Sequence, residues 1–104
     1  QQLLASTFYK HLRRMLTLGL VTVAAINGHC MAGGMGLALA CDFRLMRADR
    51  GFMQMLEINI PSSIPLGLQA VVEERIKGRP DLQRDILILG KRISAQQAKE
   101  YDIV

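Results

Sequence analysis

The sequence predicts an α/β fold, and three observations support that prediction. Half of the 104 residues are hydrophobic and 21% are charged, so the chain can bury a core and is not disordered. Short apolar runs rich in β-branched residues alternate with segments of helical periodicity. A glycine-rich turn, with four glycines between Gly28 and Gly36, follows the first such run and precedes a helical pattern.

The first two elements are an amphipathic helix and a buried strand. In residues 3–18 an apolar side chain recurs every four residues, and Gly19 marks the end of the helix. The recurring side chains are Leu4, Phe8, Leu12 and Leu16. Residues 20–26, LVTVAAI, form an apolar, β-branched run that ends at Asn-Gly, which is typical of a buried strand in a parallel sheet.

The rest of the chain continues as helices, strands and turns. The predicted segments are a helix that begins within 32–41, a strand at 42–48, a turn at 49–51, an extended or irregular stretch at 51–61, and helices at 66–77 and 81–89. Ser94 and Gln97 form a capping-box pattern that opens a last helix. Because no domain boundary interrupts the pattern, we expect residues 1–104 to belong to one domain.

Charge and cysteine content restrict the ligand and the compartment. The formal net charge of +4 favours an anionic ligand such as a phosphate-bearing cofactor, although basic residues scattered over solvated faces explain it more simply. The sequence has no stripe of basic residues interleaved with aromatic rings, which argues against nucleic-acid binding. It also has no uncharged apolar run of about 18 residues, so it does not predict a membrane span. Cys30 and Cys41 lack CxxC or metal-ligand spacing, so we expect reduced thiols, an intracellular compartment and no bound metal.

The glycine-rich turn presents backbone N–H groups at the start of a helix, where they have no intrahelical partners. Such donors hold anions, and the two candidates are a phosphate and the oxyanion that forms transiently on a thioester or ester carbonyl. The pattern A-G-G-M-G matches neither a P-loop nor the GxGxxG fingerprint, which weakens the phosphate alternative. Glycine and alanine also allow helices to pack closely, so composition alone leaves an oxyanion site and a structural role open.

The stretch AAINGHCMAGGMGLALACDFRLMRAD, from Ala24 to Asp49, resembles the central signature of the crotonase (enoyl-CoA hydratase/isomerase) superfamily. The later segment GKRISAQQAKEYDIV resembles the same family. The resemblance covers residues from about 20 to 104 and implies a partial crotonase fold of β-β-α spiral repeats with helices. In that family the second oxyanion donor lies on an upstream loop that has no counterpart here, so we expect the chain to be a fragment.

The resemblance also implies catalytic roles. Gly33 matches the position whose backbone N–H forms half of the oxyanion hole, and Gly36 stands where family hydratases carry their first glutamate. Glu57 matches the second glutamate, although on its own it would be read as a surface carboxylate. One base suffices to move a double bond, so the resemblance favours a Δ3,Δ2-enoyl-CoA isomerase of fatty acid β-oxidation with Glu57 as the proton shuttle.

The same resemblance implies a substrate site and partners. Substrate-binding positions would be Gly28, His29, Ala32 and Gly34, although His29 could instead shape the loop by packing. The implied substrate is an acyl-CoA, so that CoA is part of the substrate and no separate cofactor is expected. The family usually forms trimers or hexamers, and we expect a peroxisomal protein, with the mitochondrion or cytoplasm as alternatives. Two other functions stay open: another crotonase reaction such as hydration, and a non-catalytic truncated subunit.

Overall fold

Helices and strands alternate along the residues that the computed structural model describes, which are 2–55 and 66–104. They are α1 (Gln2–Leu16), β1 (Val23–Ile26), β2 (Cys30–Met31), α2 (Gly33–Ala40), β3 (Phe43–Met46), β4 (Phe52–Gln54), α3 (Leu66–Arg75), α4 (Pro80–Leu87), β5 (Ile93–Ser94) and α5 (Ala95–Glu100). The predicted α/β class is therefore confirmed.

Two successive β-β-α units build the centre of the fold. The first unit is β1-β2-α2 and the second is β3-β4-α3. The first strands of the two units pair in parallel, and so do their second strands, so that each unit contributes one strand to each of two sheets. β5 adds antiparallel to β4. This arrangement confirms the β-β-α repeat that the family resemblance implied.

Helix α2 lies in the core. Met35 and Leu39 are completely or almost completely buried, and apolar or small side chains occupy the whole circumference of the helix. Helix α3 packs directly against it, because Gly36 has no side chain and the Leu68 side chain fills the space beside it. A Cβ at Gly36 would overlap Cδ2 of Leu68. Close helix packing is therefore one reason for glycine in this stretch.

The strand predicted at 20–26 is shorter and less buried than expected. It begins at Val23, and its parallel pairing with β3 is confirmed. Ala24 and Ile26 face the core, whereas Val23 remains 56% exposed and its register partner Phe43 61% exposed. The apolar run predicted a buried strand, and that prediction is wrong for the outer face of β1, because no other element of the described residues covers it.

Most other predicted boundaries lie within a few residues of the observed ones. α1, α3 and α4 each end two residues before the predicted end. The capping box at Ser94 is confirmed: its side chain accepts a hydrogen bond from the Gln97 N–H, and the Gln97 side chain accepts one from the Ser94 N–H. The sequence did not predict β2 or β5, because each has only two residues and so shows no alternation.

Candidate functional site

The turn before α2 is held in an unusual backbone conformation at Ala32. This residue has φ 48° and ψ −115°, a region that residues with a side chain rarely adopt. Its N–H donates to the Gln54 carbonyl at 2.7 Å, and its carbonyl accepts from the Gly36 N–H at 3.0 Å. The hydrogen bond to Gln54 couples the turn to β4 and so fixes the direction in which α2 begins.

The first backbone N–H groups of α2 are available to a ligand. Ala32 has no side-chain oxygen that could cap the helix. Within residues 2–55 and 66–104, no acceptor bonds to the N–H of Gly33 or Gly34. The positive end of the helix dipole adds to the two donors, so this turn can stabilise a negative charge that develops on a bound carbonyl oxygen.

A cavity of about 630 Å³ opens between β1 and α2, next to this turn. Its lining residues are Ala24, Ala25, Ile26, Asn27, His29, Cys30, Met31, Gly34, Leu37, Ala38 and Cys41. Of the residues predicted to bind substrate, His29 and Gly34 line the cavity, whereas Gly28 and Ala32 do not. Gly33, the predicted oxyanion donor, is the first residue of α2 and also lies outside the lining. Among the described residues the lining contains no carboxylate, and its titratable side chains are those of His29, Cys30 and Cys41.

Three side chains pack together on one side of the turn, and the sequence pattern did not predict their contact: His29, Phe52 and Arg92. The His29 imidazole lies on the Phe52 ring, with the two ring centroids 4.3 Å apart and the planes at 50°. The Arg92 guanidinium lies over the same Phe52 ring, its Cζ 4.5 Å from the centroid. Gly28 and Gly51 bring their backbones together here, because a Cβ at Gly51 would lie 2.6 Å from the Gly28 carbonyl carbon.

The two cysteines fit a structural role. Both are free and buried, and burial raises the pKa of the Cys30 thiol above its ordinary value. A raised pKa lowers the thiolate fraction, and the thiolate is the nucleophilic form. The Cys41 thiol, directly after the end of α2, donates to the Leu37 carbonyl of that helix. Neither thiol therefore has the features of an activated nucleophile.

The predicted base, Glu57, lies outside the residues that the structure describes. It follows Met53, Gln54 and Met55 in sequence, three residues that are all buried. Glu73 and Glu74 are exposed on α3 and do not line the cavity. The role of Glu57 stays a prediction from the sequence.

Sequence reasoning missed the residues that support the turn from a distance. Leu68 fills the space next to Gly36, and the Gln54 side chain donates to the Gly90 carbonyl at 2.7 Å, which anchors β4 behind the turn. Gln54 is only 2% exposed. The only sequence signal for this contact is that Gln54 is polar within an otherwise apolar strand, and this signal does not identify Gly90 as its partner.

Two features are absent from the described residues: a helix that could span a membrane and a cluster of metal ligands. No helix within 2–55 and 66–104 is long and apolar enough to cross a membrane. In the same part of the chain, no group of three or more His, Cys, Asp or Glu side chains could hold a metal ion.

Comparison with known proteins relates the geometry to a family. A family model described as enoyl-CoA hydratase/isomerase matches residues 1–104. Two Arabidopsis thaliana proteins, enoyl-CoA delta isomerase 1 and 2, both named peroxisomal, are 36% and 40% identical to the chain over 90 residues. Each match covers 86% of this chain and 37% of the relative. Enoyl-CoA delta isomerase 3 of the same plant is 34% identical over 101 residues, which cover 97% of this chain and 42% of the relative, and its name gives no compartment.

Solved structures share the fold. An enoyl-CoA hydratase/carnithine racemase from Magnetospirillum magneticum superposes with a TM-score of 0.78 at 28% identity. The superposition covers 89% of this chain and 34% of that protein. The fold is therefore the crotonase fold, of which the chain contains a part.

Proposed function

The chain belongs to the enoyl-CoA hydratase/isomerase family, and on that basis we propose that the protein is a Δ3,Δ2-enoyl-CoA isomerase that works with a single base. In this proposal the Gly33 N–H is one donor of the oxyanion hole and Glu57 is the proton shuttle. The substrate is a 3-enoyl-CoA of fatty acid oxidation. The names of the relatives support this choice of reaction.

The observation that carries the proposal is the glycine at position 36. Family hydratases carry a glutamate at this position, whereas Gly36 has no side chain and the Leu68 side chain packs beside it. The described lining of the cavity supplies no other carboxylate. Hydration calls for one group to activate water and another to deliver a proton, whereas isomerisation needs one group that does both transfers in turn.

The proposed reaction has two proton transfers. The Glu57 carboxylate removes a proton from C2 of the 3-enoyl thioester, and the electron pair moves onto the thioester oxygen to give a dienolate. The Gly33 N–H and the positive end of α2 stabilise the charge on that oxygen, which is worth roughly 3–4 kcal/mol per donor in comparable sites. The protonated Glu57 then returns the proton at C4, so that the double bond ends between C2 and C3.

The test uses the natural polypeptide that contains this chain. It should isomerise 3-enoyl-CoA much faster than it hydrates 2-enoyl-CoA, as measured by absorbance assays with both substrates. Glu57→Gln should lower the isomerase kcat by at least ~100-fold with little change in acyl-CoA binding. Glu100→Gln, an exposed carboxylate on α5, is the matched control and should leave kcat unchanged. Comparable hydratase turnover, or a Glu57→Gln enzyme with more than half its activity, would contradict the single-base mechanism.

The substrate and partner assignments belong to the same proposal. His29, Gly34 and the turn residues Gly28 and Ala32 contact the thioester end of an acyl-CoA, and no separate cofactor or metal takes part. Residues 1–104 form part of one crotonase domain, which assembles as a trimer or hexamer. The outer face of β1 and β3 is apolar and exposed, which supports this assembly, because a face of this kind is expected to pack against further protein surface. The names of two relatives support a peroxisomal location.

A further inference from the structure

The end of α2 opposite the glycine-rich turn is held by two arginines. The last carbonyls of a helix have no intrahelical donors and need partners from elsewhere. Arg44, on β3, donates through Nη1 to the Ala38 and Leu39 carbonyls at 3.3 Å each and to the Cys41 carbonyl at 2.6 Å. Arg75 forms a second set of bonds to the same helix end.

Arg75 and Arg44 connect this helix end to the surrounding elements. Arg75, at the end of α3, donates through Nε to the Leu39 carbonyl at 2.8 Å and through Nη2 to the Ala40 carbonyl at 3.1 Å. Arg44 also donates through Nε to the Ile103 carbonyl at 2.6 Å, near the last described residue. The two guanidinium groups thus join α2 to β3, to α3 and to the segment that follows α5.

The electrostatic cost of this arrangement argues against an incidental contact. Burial, and then the charge of Arg75, lower the pKa of Arg44 below its ordinary value, although an arginine stays protonated in proteins. Asp42 is the only carboxylate that the described residues bring near, 3.9 Å from Arg75. Two half-buried cations are tolerated here because the negative end of the helix dipole faces them and five carbonyl groups accept their hydrogen bonds.

A rigid helix transmits its orientation from one end to the other. α2 has eight residues and is about 12 Å long at 1.5 Å per residue. A tilt of about 5° at the arginine end would move the Gly33 N–H by about 1 Å, and a misplacement of that size can cost about 100-fold in rate. The turn itself is held to β4 by one backbone hydrogen bond, from Ala32 to Gln54.

We propose that Arg44 and Arg75 are positioning residues for the oxyanion-binding turn: their hydrogen bonds to the last carbonyls of α2 set the orientation of the helix and thereby of the Gly33 N–H. The inference rests on the proposed isomerase function. Each arginine makes its bonds through two nitrogens: Arg44 uses Nη1 for the end of α2 and Nε for the Ile103 carbonyl, and Arg75 uses Nε and Nη2 for the Leu39 and Ala40 carbonyls. Lysine has three donors but only one nitrogen, so it cannot reproduce both directions of the fork. Charge alone would be preserved by lysine.

The experiment compares Arg44→Lys and Arg75→Lys in the natural polypeptide, with Arg84→Lys as the matched control. Arg84 is exposed on α4, and among the described residues its side chain forms an ion pair with Asp85. In each of the first two variants we expect kcat per folded active site to fall at least 10-fold, with KM for 3-enoyl-CoA within threefold of the unsubstituted protein. Affinity for an enolate-mimicking thioester should fall by the same factor as kcat. If the arginines served folding alone, the lysine variants would have a lower melting temperature, but kcat per folded active site would stay unchanged.

Hydrogen exchange provides a readout that does not depend on activity. The Gly36 amide donates to the Ala32 carbonyl and so reports on the first turn of α2. Its exchange should rise in both lysine variants by more than that of the α4 amides, and it should not change in Arg84→Lys. If the unsubstituted protein lacks isomerase activity, the proposed function fails and the exchange result alone decides the positioning role. A kcat within twofold of the unsubstituted protein, or Gly36 exchange that rises no more than that of α4, would overturn the inference.

Discussion

Replacing Gly36 by alanine tests the packing contact between α2 and Leu68 of α3. Two effects oppose each other. Alanine is favoured over glycine inside a helix by about 1 kcal/mol. The added Cβ would overlap Cδ2 of Leu68 and lie 3.7 Å from its Cγ, and overpacking in a dense core costs about 1–3 kcal/mol. Leu68 is only 7% exposed, so its methyl group has little room to move away. We expect a net loss of about 1 kcal/mol in the free energy of unfolding.

A double-mutant cycle separates the two effects. Leu68→Ala alone should cost about 2–5 kcal/mol, because it leaves a cavity beside α2. In the Leu68→Ala background the clash is gone and the new methyl group fills part of that cavity, so Gly36→Ala should become stabilising by about 1 kcal/mol or more. The sign of the Gly36→Ala effect should therefore reverse between the two backgrounds. Urea unfolding of the four proteins, followed by circular dichroism, measures each free energy.

Gly34→Ala is the matched control, since this residue lies in the same helix and a Cβ there would meet no atom within 4 Å. It should be neutral or slightly stabilising in both backgrounds. If Gly36→Ala behaved like Gly34→Ala and stabilised the protein in the presence of Leu68, α3 would not fill that space. The contact with Leu68 would then not explain the glycine at position 36.

Two further predictions concern the turn and the buried thiols. Ala32→Gly should stabilise the protein by about 0.5–2 kcal/mol, because relief of backbone strain of about 1–3 kcal/mol exceeds the extra entropy of glycine in the unfolded chain; an unchanged or lower melting temperature would argue against strain. Cys30 and Cys41 should react with a thiol reagent at pH 8 at least ~100-fold more slowly than in urea. Because burial raises the pKa of Cys30, the unfolded chain releases that proton first, so stability should fall as pH rises above about 8.5, and Cys30→Ala should reduce the fall.

Local patterns in the sequence were sufficient for the elements that have strong signals of their own. The Ser94 capping box needs only two side chains three residues apart, and its geometry followed. The helix after the glycine-rich turn was predicted from residue types alone. β2 and β5 could not be predicted, because a two-residue strand is defined by its partner and not by its own sequence.

The candidate site was only partly predictable for a similar reason. The available N–H groups of Gly33 and Gly34 follow from their position at a helix start. The contacts that support them come from residues far along the chain: Leu68 from α3, and Arg75 from the end of the same helix. Nothing in a run of leucines or arginines tells which of them will reach another helix, since that depends on how the two helices pack.

The division of each β-β-α unit between two sheets has a consequence for folding. The two strands within a unit do not pair with each other: β1 pairs with β3, and β2 pairs with β4. The described residues thus contain no β-hairpin that could form early as a local nucleus. On the ribosome, β1 and β2 cannot form these pairings until the second unit has been synthesised. Folding should therefore be slow for a chain of this size, and the interval before pairing is when the growing chain is most exposed to aggregation.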